Sequence, residues 1–245
     1  MRIAVVQLSI QPNRRTATLQ AALNAIDAAA KTDPAPDIIL LPAFADVLHS
    51  APGQSAPCEH VEGQTTAACG LRARNWGVFI AFGMAEKSEN RPYLTSVLLD
   101  RDGDVRLAQR QMVLQKSSAD FFQPGEGISV TNILLGRIGL LTGEDWLNPR
   151  AWDHVNQAGA QLVVGAACRL HPGDKDTNPR KTRARIAEQA RRTNLGCAVA
   201  DATTGDESNG PGLSTIIDNQ GEILAAAPPG ETATLWAEIH LPEQE

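Results

Sequence analysis

Two short apolar runs, Ile3-Ala4-Val5-Val6 and Ile38-Ile39-Leu40-Leu41, bracket a stretch of helical periodicity. No other feature narrows the choice of folds as much. Each run is too short for a buried helix and suits a strand covered on both faces. Between them Leu19, Ala22, Leu23, Ile26 and Ala30 share one face of a helix predicted over 14–31. Asn13 is placed to cap that helix, and the segment around Pro34 and Pro36 ends it. Strand, helix and strand in this order imply a crossover and parallel or mixed pairing.

The alternation continues along the chain. A helix is predicted over 65–75, and buried strands over 78–82, 162–164 and 197–200. Asp102-Gly103 between 93–99 and 105–111, and Asn219-Gln220-Gly221 between 214–218 and 222–226, are hairpin signals. A last strand is predicted over 233–239. Residues 44–63, 115–127 and 206–212 read as loops. Residues 171–180 carry Asp174, Lys175, Asp176 and Arg180 with two prolines, and read as a mobile lid or disordered loop. Hairpins mixed with β-α-β units predict an α/β fold of two mixed sheets with helices outside each. No repeat, linker or composition break divides the chain, so a single domain over 1–245 is expected.

Composition excludes some functions. The net charge of −6 argues against nucleic acid or an anionic membrane as partner, because either favours a basic face. No apolar run approaches membrane-spanning length, and the N-terminus shows no secretory pattern, so a cytoplasmic protein is expected. Cys58, Cys69, Cys168 and Cys197 form no CxxC pair, which predicts reduced thiols and neither a zinc site nor a disulfide framework. His49, His60, His154 and His240 show no ligand spacing. No metal and no cofactor are expected.

The stretch from Gly136 to Pro149 concentrates the functional question. A strand predicted over 137–142 runs into a sharp turn, and a helix is predicted from Pro149 to Gln157, since proline suits a first helical position. Strand-to-helix turns of this kind present nucleophiles in many α/β enzymes. Here Thr142, Gly143 and Glu144 stand at the tip, where a cysteine or serine would be sought.

Taken in order, these residues resemble the nitrilase, or carbon–nitrogen hydrolase, superfamily over essentially the whole chain. The first strand and the helix after Asn13 resemble the family's start, and Leu41-Pro42 stands where the family has Leu-Pro-Glu. Phe122-Gln123-Pro124-Gly125 resembles its Phe-x-Pro-Gly. Gly136-Arg137-Ile138-Gly139 through Asp145 and Pro149 resembles its elbow, and Gly212-Leu213-Ser214 with Ile217-Asp218 and Gly221 its C-terminal hairpin. The resemblance implies an αββα sandwich and a tendency to form homodimers or larger homo-oligomers. It also implies a Glu, a Lys and a Cys acting as proton shuttle, charge stabiliser and nucleophile. Those roles would fall on Ala43, Gln111 and Gly143. A slip of register would bring Arg110 or Lys116 to the Lys position. A further family Glu would fall near Ser118 or Ala119, and the Glu after the family's proline would fall on Arg150.

Ala43 and Gly143 carry no functional group, so the expected protein is a non-hydrolytic member that binds a small molecule or supports a partner enzyme. Glycine for cysteine and alanine for glutamate would enlarge and neutralise the pocket. The alternative is an amidase-type hydrolase working through relocated residues. Thr142 with Glu144 is one pair, although strand alternation would place both opposite Gly143. Cys168 with His171 is another. Asp145 reads as a turn carboxylate bonding backbone, and Trp146 and Trp152 as packing at the start of the elbow helix. A third reading is an anion sensor using Arg150 and the cations Lys181, Arg183, Arg185, Arg191 and Arg192, which otherwise form a solvated helix face.

Overall fold

The computed structural model describes residues 1–10, 14–44, 58–114, 116–167, 178–203 and 212–241, apart from the side chains of 116 and 117. Asn13, Cys168 and His171, most of the loop expected over 44–63, and most of the lid expected over 171–180 therefore lie outside the described residues.

The first half runs β1 (Arg2–Ser9), α1 (Arg15–Ala30), β2 (Ile38–Phe44), α2 (Gln64–Trp76), β3 (Phe79–Glu86), β4 (Tyr93–Leu99), β5 (Val105–Arg110) and the short α3 (Lys116–Ala119). The second runs β6 (Val130–Ile133), β7 (Gly136–Leu140), α4 (Pro149–Gln157), β8 (Leu162–Ala166), α5 (Pro179–Thr193) and β9 (Gly196–Ala200). It ends with β10 (Ala202–Thr203), β11 (Thr215–Ile217), β12 (Ile223–Ala226) and β13 (Ala233–Glu238).

These strands form two mixed sheets. One has the order β10-β1-β2-β3-β4-β5, with β13 also paired to β1, and the other β12-β11-β9-β8-β7-β6. The β1–β2–β3 and β7–β8–β9 pairings are parallel, and both hairpins are antiparallel. The alternation of apolar side chains explains the layering. Ile3, Val5, Ile38, Leu40 and Leu98 face Ile138, Leu140, Leu162, Val164 and Ala198 between the sheets. Ala4, Val6, Ile39 and Leu41 face the opposite way, onto Ala22, Leu23, Ile26, Cys69 and Ala73 of α1 and α2. Leu141, Val163, Cys197 and Val199 likewise pack on Trp152, Val155, Ile186 and Ala190 of α4 and α5. The result is the expected αββα sandwich.

Three elements depart from the sequence expectation. The elbow strand ends at Leu140, and Gly143–Leu147 forms a 3-10 turn. The last helix begins at Pro179, inside the segment read as a lid, because the Asn178 side chain accepts from the backbone N–H groups of Arg180 and Lys181. Strand β6 was not anticipated. It is an edge strand, half exposed, so the period-two signal is faint. Thr215–Ile217 and Ala233–Glu238 lie within the strands expected there.

The Gly-x-Ser motif has a structural task. The Ser214 hydroxyl donates to the Asp201 carbonyl and accepts from the Asp201 N–H, while its own N–H donates to Gln7 Oε1. Gln7 belongs to the first sheet and Ser214 leads into the second, so the motif staples the layers.

Candidate functional site

In open α/β sheets, ligands gather beyond the carboxyl ends of parallel strands. Here Ile10, Ala43, Ala85 and Ala166 stand at or just past the ends of β1, β2, β3 and β8. They form one apolar cluster with Leu94, Phe122 and Ala202. Phe122 belongs to the Phe-x-Pro-Gly segment. That segment is held by the Gly125 N–H donating to the Gln111 carbonyl, and a Cβ on Gly125 would meet Arg110 Cβ at 2.7 Å.

The elbow borders this cluster. Gly143 has φ +55°, a left-handed conformation that costs glycine little and other residues more. Nucleophile elbows hold their reactive residue in a comparably strained turn. A Cβ built on Gly143 would lie 2.4 Å from Gln111 Oε1, 2.8 Å from Gln111 Cδ and 2.8 Å from Leu94 Cδ2. The space of a side chain at 143 is thus taken by the Gln111 carboxamide. The enlarged pocket expected from glycine at this position is not found there, because the neighbouring long side chain has moved into it.

Gln111 is 1% exposed. Its Nε2 donates to the Val113 carbonyl at 2.5 Å and to Glu144 Oε2 at 3.0 Å. Ser118 donates to the same carboxylate oxygen at 2.7 Å. Gln111 Oε1 is buried without a hydrogen-bond partner. Arg110 points away from the elbow. Its Nε and Nη2 bind Glu86 at 3.0 and 2.6 Å, and its guanidinium carbon lies 4.0 Å from the centre of the Tyr93 ring. The register alternative that would bring Arg110 to the elbow is therefore overturned: adjacent residues at the end of β5 face opposite ways.

Ala43 sits where the two sheets meet. A Cβ on Gly83 would sit 2.6 Å from Ala43 Cβ and 2.8 Å from Ala166 Cβ, so β2, β3 and β8 meet here through small residues alone. Ala43, Gln111 and Gly143 thus adjoin a single apolar neighbourhood, with Leu94 touching it from both sides. Sequence gave no warning of Leu94, Gly83 or Ala166, whose part depends on register across the layers.

The substitute residues fare unevenly. Thr142 is buried and donates to the Gln109 carbonyl at 3.0 Å, and no hydrogen bond joins it to Glu144. The expected alternation fails because the chain leaves strand geometry at Gly143. Glu144 turns toward Gln111 and Ser118. Asp145 bonds backbone as expected: its carboxylate accepts from the N–H groups of Met112 and Val113, both at 2.9 Å. Burial outweighs these two bonds and the effect of Glu144 adds to it, so the Asp145 pKa is pushed up to about 7. Trp146 packs edge-on to Trp152 in the outer core at 5.8 Å, and Arg150 is exposed on α4.

The cationic helix is not one face. Arg183 turns inward and donates to the carbonyls of Leu213, Ser214 and Ala227. Arg192 binds Asp153 at 2.5 Å and the Pro149 carbonyl. Cys69 and Cys197 are buried in the outer cores, where desolvation pushes their thiol pKa values up, to about 12 for Cys69. Cys58 is half-buried and shifted the same way, also by burial. Thiols of this kind are poor nucleophiles. No group of three or more potential metal ligands exists among the described residues, and no described helix is long and apolar enough to cross a membrane.

Comparison with known proteins fits this geometry. A family model described as carbon–nitrogen hydrolase matches residues 2–244. The chain therefore belongs to the carbon–nitrogen hydrolase family. Among solved structures it is similar to a carbon–nitrogen hydrolase from Helicobacter pylori G27, with a TM-score of 0.81 and 17% identity over 98% of this chain and 88% of that one. It is also similar to the amidase from Nesterenkonia sp. AN1. A glutamate-to-glutamine mutant of that enzyme, with the acetamide moiety of fluoroacetamide added at its active-site cysteine, gives a TM-score of 0.80 and 21% identity over 96% and 89% of the two chains. A cysteine-to-alanine mutant of the same amidase in complex with butyramide gives 0.79 and 21% over the same shares. At these identities the likeness is one of fold. A comparison with curated proteins returned no match.

Proposed function

We propose that this protein is a carbon–nitrogen hydrolase family member without thiol-based hydrolysis, and that it acts as a binding or scaffold protein. One observation carries the reading: the elbow residue is Gly143, and its side-chain space is filled by a neutral carboxamide from Gln111. Covalent hydrolysis of an amide needs a nucleophile, a base to activate it and a donor for the developing oxyanion. Ala43 supplies no base, Gly143 no nucleophile, and Gln111 points an oxygen, not a cation, at the elbow. The Nesterenkonia amidase carries an active-site cysteine; on this reading the present chain keeps that architecture without that chemistry. The family's tendency to pair subunits suits a support role, in a homo-oligomer or with a partner enzyme.

The test is a panel of short aliphatic amides, nitriles and carbamoyl amines incubated with the purified protein, with ammonia release followed. No release above a heat-treated control is expected. Turnover that disappears in Cys168→Ala or Thr142→Ala would establish the relocated-hydrolase reading instead.

A further inference from the structure

Gln111 carries a consequence for what the elbow accepts. Its side chain is a primary carboxamide, the same group as a short aliphatic amide. Its amide carbon lies 2.8 Å from where a Cβ on residue 143 would stand. Its orientation is determined: Nε2 is held by the Val113 carbonyl and by Glu144 Oε2, and turning the amide over would set Oε1 against both of those oxygens. Oε1 consequently remains an unpaired buried acceptor against the glycine, an arrangement native proteins rarely keep without cause. Leu94 closes the other side of the same space.

We propose that Gln111 is a tethered amide that occupies the elbow in place of an external ligand, and is the residue that excludes small neutral amides from this site. The inference rests on reading Gly143 as the family's nucleophile position. It predicts a site closed by the chain itself, so that any binding partner engages another surface. It also explains why glycine is needed at 143. Any larger residue would compete with the carboxamide for one volume.

Binding of butyramide and acetamide to the wild type and to Gln111→Ala, followed by ligand-observed NMR and thermal shift, tests the proposal. Gln111→Ala is expected to bind at least tenfold more tightly than the wild type. Equal binding, or binding by neither protein, would overturn it. A second measurement does not depend on Gln111→Ala folding. The thiol introduced by Gly143→Cys is expected to react with iodoacetamide at least tenfold more slowly in the native protein than after unfolding, as read at that peptide by mass spectrometry. Native labelling at the unfolded rate would overturn the proposal. The two readings fail differently. Wild-type hydrolysis of butyramide removes the proposed function, whereas wild-type binding as tight as that of Gln111→Ala, without hydrolysis, removes only the role of Gln111.

Discussion

The elbow and the cleft beside Tyr93 are built from the two faces of one strand end, and they treat polar groups in opposite ways. On the outer face, Arg110 sits over the Tyr93 ring and clamps Glu86 with two bonds, and Thr95 donates a third at 2.7 Å. Charge is retained there and fully paired, at the margin of a cleft of about 580 Å³ lined also by His60, Lys87 and Gln123. On the inner face one residue later, Gln111 is neutral, and its oxygen is unpaired among apolar neighbours. Paired charge survives near water, whereas a charge set among Ala43, Leu94, Phe122 and Ala166 would find no polar partner in those side chains. The difference teaches that the inner face has been adapted to be filled and the outer face to be solvated.

The largest effect is expected from forcing charge onto the inner face. Ala43→Glu would place a carboxylate in the cluster of Leu94, Phe122 and Ala166, with no room toward Gly83. A cost of roughly 3 kcal/mol or more in urea unfolding is expected, since an unpaired buried charge must be desolvated or protonated. A cost below about 1 kcal/mol would show that this face is wet and would erase the contrast.

Asp145 is next. Removing its carboxylate in Asp145→Ala strands two backbone N–H groups, for about 2–3 kcal/mol. Its pH dependence carries a definite sign. Burial raises the folded pKa to about 7, so between the unfolded value and 7 the folded state binds the extra proton. Stability should therefore fall as pH rises from about 4 to 7 and level off above, at about 1.4 kcal/mol per tenfold change in proton affinity. Thermal unfolding across that range checks this, and Asp145→Asn should flatten the slope. A profile that rises instead would mean that the two N–H bonds outweigh burial.

Gly143→Ala should cost about 2 kcal/mol, part from left-handed backbone and part from crowding Gln111. In a Gln111→Ala background the Gln111 share of the crowding should vanish and only that of Leu94 remain, so the two substitutions should be non-additive by about 1 kcal/mol. Strict additivity in denaturant midpoints would indicate that the carboxamide does not share the space of residue 143.

How much of this was readable beforehand follows the same division. Layering was legible, because runs such as Ile38–Leu41 carry their burial in their composition. The family resemblance pointed to Ala43 and Gly143 through the adjacent Pro42 and Asp145 and left the third position open between Gln111, Arg110 and Lys116, and in the structure Ala43 and Gly143 both border the apolar cluster with Leu94. What filled the gap was not legible. Gln111 lies far from Gly143 in sequence, and no local pattern says that a glutamine will turn inward while its neighbour Arg110 turns out. The 3-10 turn at Gly143 was hidden for a related reason. Apolar alternation runs on through Leu140 and Leu141, and only the left-handed glycine breaks it. The cationic helix misled in the same manner, because Arg183 is recruited by the carbonyls of Ser214 and Ala227, which flank β11 and β12 and are distant in sequence.

The smallest effect tests the outer face. Arg110→Ala leaves Glu86 with Thr95 as its remaining side-chain partner, in a position only 7% exposed. The Arg110 side chain is itself 45% exposed, so solvent screens the pair and the expected loss is about 1 kcal/mol, not that of a buried bridge. Burial opposes the Glu86 carboxylate, but the bonds from Arg110 and Thr95 prevail and hold its pKa below the usual value. The stabilisation is accordingly present above the unfolded carboxylate pKa and lost as pH falls through the lowered one. The difference between wild type and Arg110→Ala should shrink on acidification and with added salt. Arg110→Lys keeps the charge but gives up the forked bond and the stacking, so it should fall between the two. If Arg110→Ala proved as costly as Ala43→Glu and insensitive to salt, the outer face would be as dry as the inner one. The contrast between the two sides of β5 would then have to be attributed to sequence alone, not to solvent.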